Sequence, residues 1–154
     1  MKKLAFLTLL LPLAMCLSCS DKNDFPNVDM TLTLSGVTQS DGNFYTVRGE
    51  DVTIDKLEAK SLDGVNTGYA NVVFYLNGEP LLGMPGDPFT GTFSTENLPA
   101  GQYTLGVGGN LLQEGSSIKT FVLGYPLFIL DSEEDLPSNA PEIGTYSQTI
   151  RIGD

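Results

Sequence analysis

One long apolar run opens the chain, and a series of short alternating stretches follows it. Leu4 to Leu17 is almost unbrokenly apolar behind Met1-Lys2-Lys3, and polarity rises at once after Leu17-Ser18-Cys19-Ser20, with Asp21-Lys22-Asn23-Asp24. A membrane-spanning helix needs about 20 apolar residues and a signal-peptide core about 7–15, so the run reads as a secretory signal. Ser20 to about Val28, with Pro26 and two asparagines, reads as a tether. Its roughly nine residues would reach about 30 Å when extended.

Beyond the tether the period is that of strands. Met30, Leu32 and Leu34 fall on one face against Thr31, Thr33 and Ser35, and Gly36 with Ser40-Asp41-Gly42-Asn43 is expected to close that element. Glu50 to Leu62 alternates with a change of phase, Val52 and Ile54 even but Leu57 and Ala59 odd. A β-bulge in a strand accounts for the change, and β-branched Val52, Thr53 and Ile54 favour it over a short helix from Asp51 to Leu62. Gly68 to Asn77 carries Val72-Val73-Phe74-Tyr75-Leu76 into Asn77-Gly78, the preferred type I′ hairpin pair, with Glu79 to Gly83 as the return strand. Alternation resumes at Phe89-Gly91-Phe93 and at Tyr103-Leu105-Val107. Ile118 to Leu130 reads as a strand that reaches an edge or a bend at Pro126, Asp131 to Gly144 as an acidic loop, and Tyr146-Ile150-Ile152 as a closing strand. Short strands separated by turn clusters, with no amphipathic helix after the signal, predict an all-β protein of the β-sandwich type.

Around the cysteine the sequence resembles a lipobox, the site at which a lipoprotein signal is cut just before a cysteine that then receives lipid. Leu17 and Ser18 fit the two positions before Cys19, although Cys16 stands where that motif usually has leucine. A cut before Cys16 would place Met15 where a small side chain is wanted. The domain reading is therefore a lipoprotein signal peptide at 1–18, a lipidated Cys19 and tether at 19–28, and a folded domain at 29–154. The resemblance implies several acyl chains on Cys19, and stable anchoring does take more than one. Ser20 in place of aspartate, by similarity to Gram-negative lipoproteins, implies the outer membrane. The Ser20 to Asp24 stretch resembles surface-export signals of Bacteroidetes lipoproteins, and reads equally as a solvated tether.

A cut before Cys19 removes 18 of the 154 residues and leaves 136, one domain's worth. Lys2 and Lys3 leave with the signal, so six basic residues face 19 acidic ones, a formal charge of about −13. Such a surface disfavours both nucleic acid and anionic lipid head groups as partners. Histidine is absent and both cysteines lie in or next to the signal. The domain thus lacks a disulfide, a thiol nucleophile, a Ser-His-Asp triad and the usual ligands of zinc, iron or copper.

Val72-Val73-Phe74-Tyr75-Leu76-Asn77-Gly78, Pro88-Phe89 and Leu98-Pro99-Ala100-Gly101-Gln102-Tyr103-Thr104-Leu105-Gly106-Val107 resemble the repeated motif of bacterial immunoglobulin-like domains. The resemblance covers Val72 to Val107 and implies an immunoglobulin-like sandwich, with little to say about function. Within it Tyr103 has the spacing of a tyrosine corner, and Leu105 stands where antibody domains have their second cysteine. Apolar packing would replace the disulfide, with Ile54 or Leu57 opposite and Val72 or Phe74 in place of the usual tryptophan. More chain follows Val107 than one last strand requires, which predicts an added C-terminal strand or a long functional loop.

Candidate chemistry is thin. Asp131, Glu133, Glu134 and Asp135 could contribute to a calcium site, but the stretch lacks the glycine and register of an EF-hand, and a solvated loop competes. Glu133 with Glu134, or Asp51 with Asp55, could pair as acid and base only across a cleft that small sandwiches seldom have. Phe44, Tyr45, Tyr69, Tyr125 and Tyr146 could stack on sugar, though tryptophan is absent. The expectation is a lipid-anchored, non-catalytic binding or accessory module without cofactor or metal, its partner an envelope protein or glycan. The alternative is a structural subunit of a surface assembly that uses an edge strand, Ile118 to Leu123 or Tyr146 to Ile152, for β-augmentation.

Overall fold

The computed structural model describes residues 27–81 and 90–153. The expected signal, Cys19, most of the tether, the end of the predicted Glu79 to Gly83 strand and the Met84 to Pro88 breaker lie outside these residues. The described chain is all-β. Its strands are β1 (Val28–Ser40), β2 (Asn43–Val47), β3 (Asp51–Ser61), β4 (Thr67–Leu76), β5 (Glu79–Pro80), β6 (Gly91–Ser94), β7 (Gly101–Gln113), β8 (Lys119–Leu130) and β9 (Gly144–Ile152), with one 3-10 turn at Glu133–Asp135.

These strands form a curled sheet of two halves. One half runs β9-β1-β3-β6, all antiparallel, and the other β5-β4-β7-β8-β2, in which β2 and β8 are parallel. β1 belongs to both: Val28 to Val37 pair with β3 or β9, and Thr38 to Ser40 pair with β2. Met30, Leu32, Leu34, Val52, Ile54, Phe74, Leu105, Val107, Tyr125 and Leu127 are fully buried in one core.

The inward alternation of Met30, Leu32 and Leu34 holds, but Gly36 does not close the strand. There β1 crosses from one half of the sheet to the other. Its pairing with β9 shifts register between Ser35 and Val37, and Val37 and Thr38 are then both buried. Only glycine suits the crossing. Gly36 has φ +80°, a Cβ there would overlap the carbonyl oxygen of Asp51, and its own carbonyl accepts a 2.8 Å bond from Thr46 Oγ1.

The bulge in β3 lies where the phase change put it. Leu34 pairs with Ile54 and Thr33 with Lys56, so Asp55 is the extra residue and Leu57 returns to the core. Asn77 and Gly78 both have positive φ, as the predicted hairpin turn requires. The chain after Val107 supplies an added strand, β9, which closes against β1. The loop before it is held down, with Thr38 Oγ1 donating to the Pro141 carbonyl at 2.6 Å and Ser40 Oγ to Asn139 Oδ1 at 3.0 Å.

Candidate functional site

The carboxylates singled out in the sequence are committed to structural bonds or stand apart. Asp131 pairs with Arg48 at 3.0 Å, and Asp135 caps its own turn by accepting from Ser132 N at 3.2 Å and Ser132 Oγ at 3.1 Å. Glu133 and Glu134 are exposed beside them. Asp55 accepts from Ser35 Oγ, while Asp51 pairs along the β6 side of β3. Among the described residues no three acidic side chains gather where a metal ion could be held.

The aromatic residues proposed for sugar stacking are mostly spent as well. Phe44 and Tyr125 are wholly inside. Tyr125 donates to the Met30 carbonyl at 3.1 Å, and burial pushes its pKa far above the ordinary tyrosine value. Tyr45 stacks on Phe128 with centroids 5.0 Å apart, and Tyr69 donates to the Leu57 carbonyl. Tyr103 makes the predicted corner, its hydroxyl 2.7 Å from the carbonyl four residues back, at Pro99. Tyr146 makes a second corner of the same form, donating to Glu142 at 2.7 Å.

An open surface forms instead on the outer face of β4, β7 and β8, where β7 carries glycine at successive outward positions. Tyr75, Gly106 and Gly124 share one row and Val73, Gly108 and Val122 the next. The ring of Tyr75 lies along β7 over the two glycines. A Cβ at Gly106 would stand 3.3 Å from Tyr75 Cβ, and one at Gly108 would stand 3.4 Å from its Cε2. The result is a shallow groove of about 450 Å³ floored by glycine and walled by Val73, Tyr75 and Val122, with Asn71 and Asn110 at one end. Val122 is 78% exposed, the most of any large apolar residue described.

The groove adjoins a strand edge that has no partner among the described residues. Thr104 N donates to Asn77 Oδ1 at 2.8 Å and its carbonyl accepts from Asn77 N at 3.0 Å, so the main-chain groups of Thr104 face β4 and not β8. Its partner Pro126 therefore belongs to a pair without mutual hydrogen bonds, and the same alternation turns Thr120, Val122 and Gly124 outward. β2 covers this edge only from Leu127 onward. Pro126 sits where a missing N–H costs the ladder nothing, which is the edge position its sequence predicted. Among the described residues the Ile118 to Leu123 edge named from the sequence thus has no strand partner over most of its length, and neither has the outer edge of β9, which pairs there with β1.

Sequence reasoning missed Tyr75 and the glycine floor. Their signal was there: outward positions of a strand usually carry polar side chains, and Gly106, Gly108 and Gly124 in that phase mark a close approach. The groove offers apolar contact, two amides, the Tyr75 phenol and the Thr120 hydroxyl, which donates to Asn110 Oδ1 at 3.2 Å. No protein-family model matches this chain, and a search of the curated proteins finds none similar to it, so its geometry alone guides the functional reading.

Proposed function

We propose that this chain is a lipid-anchored envelope protein of the outer membrane, exposed at the cell surface. Its domain acts as a non-catalytic binding module that takes an extended segment of a partner protein along the open edge of β8. The single observation that carries this reading is the ladder at Thr120, Val122 and Gly124, without a strand partner among the described residues, beside the glycine-floored groove. Main-chain bonds to such an edge supply affinity, and alternate side chains of the added strand drop into pockets. Anchorage is supported by Leu17-Ser18-Cys19 and by the polar stretch after it. An immunoglobulin-like sandwich is supported by the order β9-β1-β3-β6 and β5-β4-β7-β8-β2, by β2 running parallel to β8, and by the Tyr103 corner.

Crosslinking on intact cells, followed by identification of captured proteins, tests the module. Val122→Pro is the informative variant, because residue 122 gives no N–H to β7 and the fold keeps its ladder. A partner captured by the parent and lost with V122P is the expected result. Undiminished capture by V122P, or hits on a glycan array with no captured protein, would overturn the strand-addition reading. Mass spectrometry of the mature N-terminus tests the anchor separately, with a diacylated or triacylated Cys19 expected.

A further inference from the structure

We infer that the end of the domain at which the chain enters rests on the bilayer, with Leu62, Leu112 and Ile118 in contact with the lipid interface. This rests on the proposed anchorage at Cys19. Asn27, the β3–β4 loop and the β7–β8 turn meet at that end. Leu62 N donates to the Asn27 carbonyl at 3.0 Å, Glu114 N to the Asn66 carbonyl at 3.0 Å, and Gln113 Nε2 lies 3.5 Å from Ser61 Oγ. Leu62 is 43% exposed, Leu112 39% and Ile118 67%. Three of the five large apolar residues most exposed in the described chain thus crowd one end, and Val122 and Val73 follow along the adjoining face.

Reach and charge select the same end. The tether from Cys19 spans about 30 Å at most. The 13 residues of β7 alone run about 44 Å at ~3.4 Å per residue, so the domain cannot stand inverted on its anchor. Among the described residues at the entry end, Asp29, Asp63 and Glu114 are balanced by Lys60, Lys119 and Arg151, and Arg151 holds Asp29 at 2.8 Å. At the other end Glu50, Asp51, Glu96, Asp131, Glu133 and Glu134 face Arg48. Anionic head groups repel the acidic end and leave the balanced, apolar one to approach.

The test uses the full chain, purified from membranes and placed in phosphatidylethanolamine and phosphatidylglycerol vesicles, with Leu62→Cys, Ile118→Cys or Asn97→Cys carrying an environment-sensitive dye. Cys19 is blocked by its acyl chains, and Asn97 is exposed at the acidic end. The expected result is a blue-shifted emission at 62 and 118, quenched several-fold by brominated lipid, with 97 unaffected. Equal, weak quenching at all three positions on protein that floats with the vesicles would overturn the inference and leave the anchor standing. A blue shift at 62 and 118 without lipid quenching would mean that a second copy covers the patch, which also overturns it. Protein with an unmodified N-terminus that stays off the vesicles would overturn both.

Discussion

Replacing Gly36 by alanine isolates the crossing by which one strand serves both halves of the sheet. Two costs add there. An L-residue at φ +80° is disfavoured by about 1–2 kcal/mol. The added methyl falls inside the 3.0 Å that Cβ atoms essentially never breach, against the Asp51 backbone. Relieving such an overlap costs about 1–3 kcal/mol in a packed interior. The sum, about 2–5 kcal/mol, is a large part of the ~5–15 kcal/mol that holds a domain folded. Gly42→Ala is the internal control, because Gly42 has φ +76° and nothing within 4 Å of its Cβ direction, so only the first cost applies. With a urea slope of about 2 kcal/mol/M, G36A should lower the unfolding midpoint by roughly 1–2.5 M and G42A by roughly 0.5–1 M, followed by far-UV circular dichroism. Equal midpoints for the two variants at unchanged slope would refute the close-approach reasoning.

Two further predictions concern tyrosines. Tyr103→Phe and Tyr146→Phe each remove one 2.7 Å hydroxyl bond to a carbonyl four residues back, so each should cost about 0.5–1.5 kcal/mol in thermal or urea melts. A cost at 103 with none at 146 would show that the second corner contributes nothing to holding β9. Tyr125→Phe should cost about 1 kcal/mol at neutral pH through its lost bond to Met30. Burial raises the Tyr125 pKa, so its share of stability is whole below the unfolded value near 10 and declines as pH rises above it. The gap between parent and Y125F should therefore hold up to about pH 9 and narrow as pH rises through about 10 to 11, and a constant gap in urea midpoints would contradict this.

What could be read from the sequence was local. The phase slip from Ile54 to Leu57 announced the bulge because side-chain period in a strand is fixed by geometry, and Asn77-Gly78 announced its turn because few pairs accept two positive φ values. Pro126 announced an edge because it lacks a donor. Gly36 was misread as a stop, since a glycine required by close approach looks the same in sequence as one required by a turn, and Asp51 lies far from it along the chain. β2 escaped notice because Asn43–Val47 is short and gains its place from a parallel partner some 80 residues on, at Leu127 to Leu130. The groove is a product of three strands, so no single window displayed it. The Tyr146 corner was legible, because Gly144-Thr145-Tyr146 repeats the spacing of Gly101-Gln102-Tyr103.

For a chain exported as proposed above, the pairing of β1 with β9 sets an order of events in folding. Arg151 and Asp29, clamped together at the last rows of that ladder, are 122 residues apart in sequence. Contacts of such separation are slow to form, and here the first strand of the sheet waits for the last. Until then β1 offers Thr31, Thr33 and Ser35 no partners for the hydroxyl bonds they make with Thr149, Ser147 and Thr145. The unmated strand is a template for the wrong neighbour during that interval, so this topology exposes an aggregation-prone edge until β9 arrives.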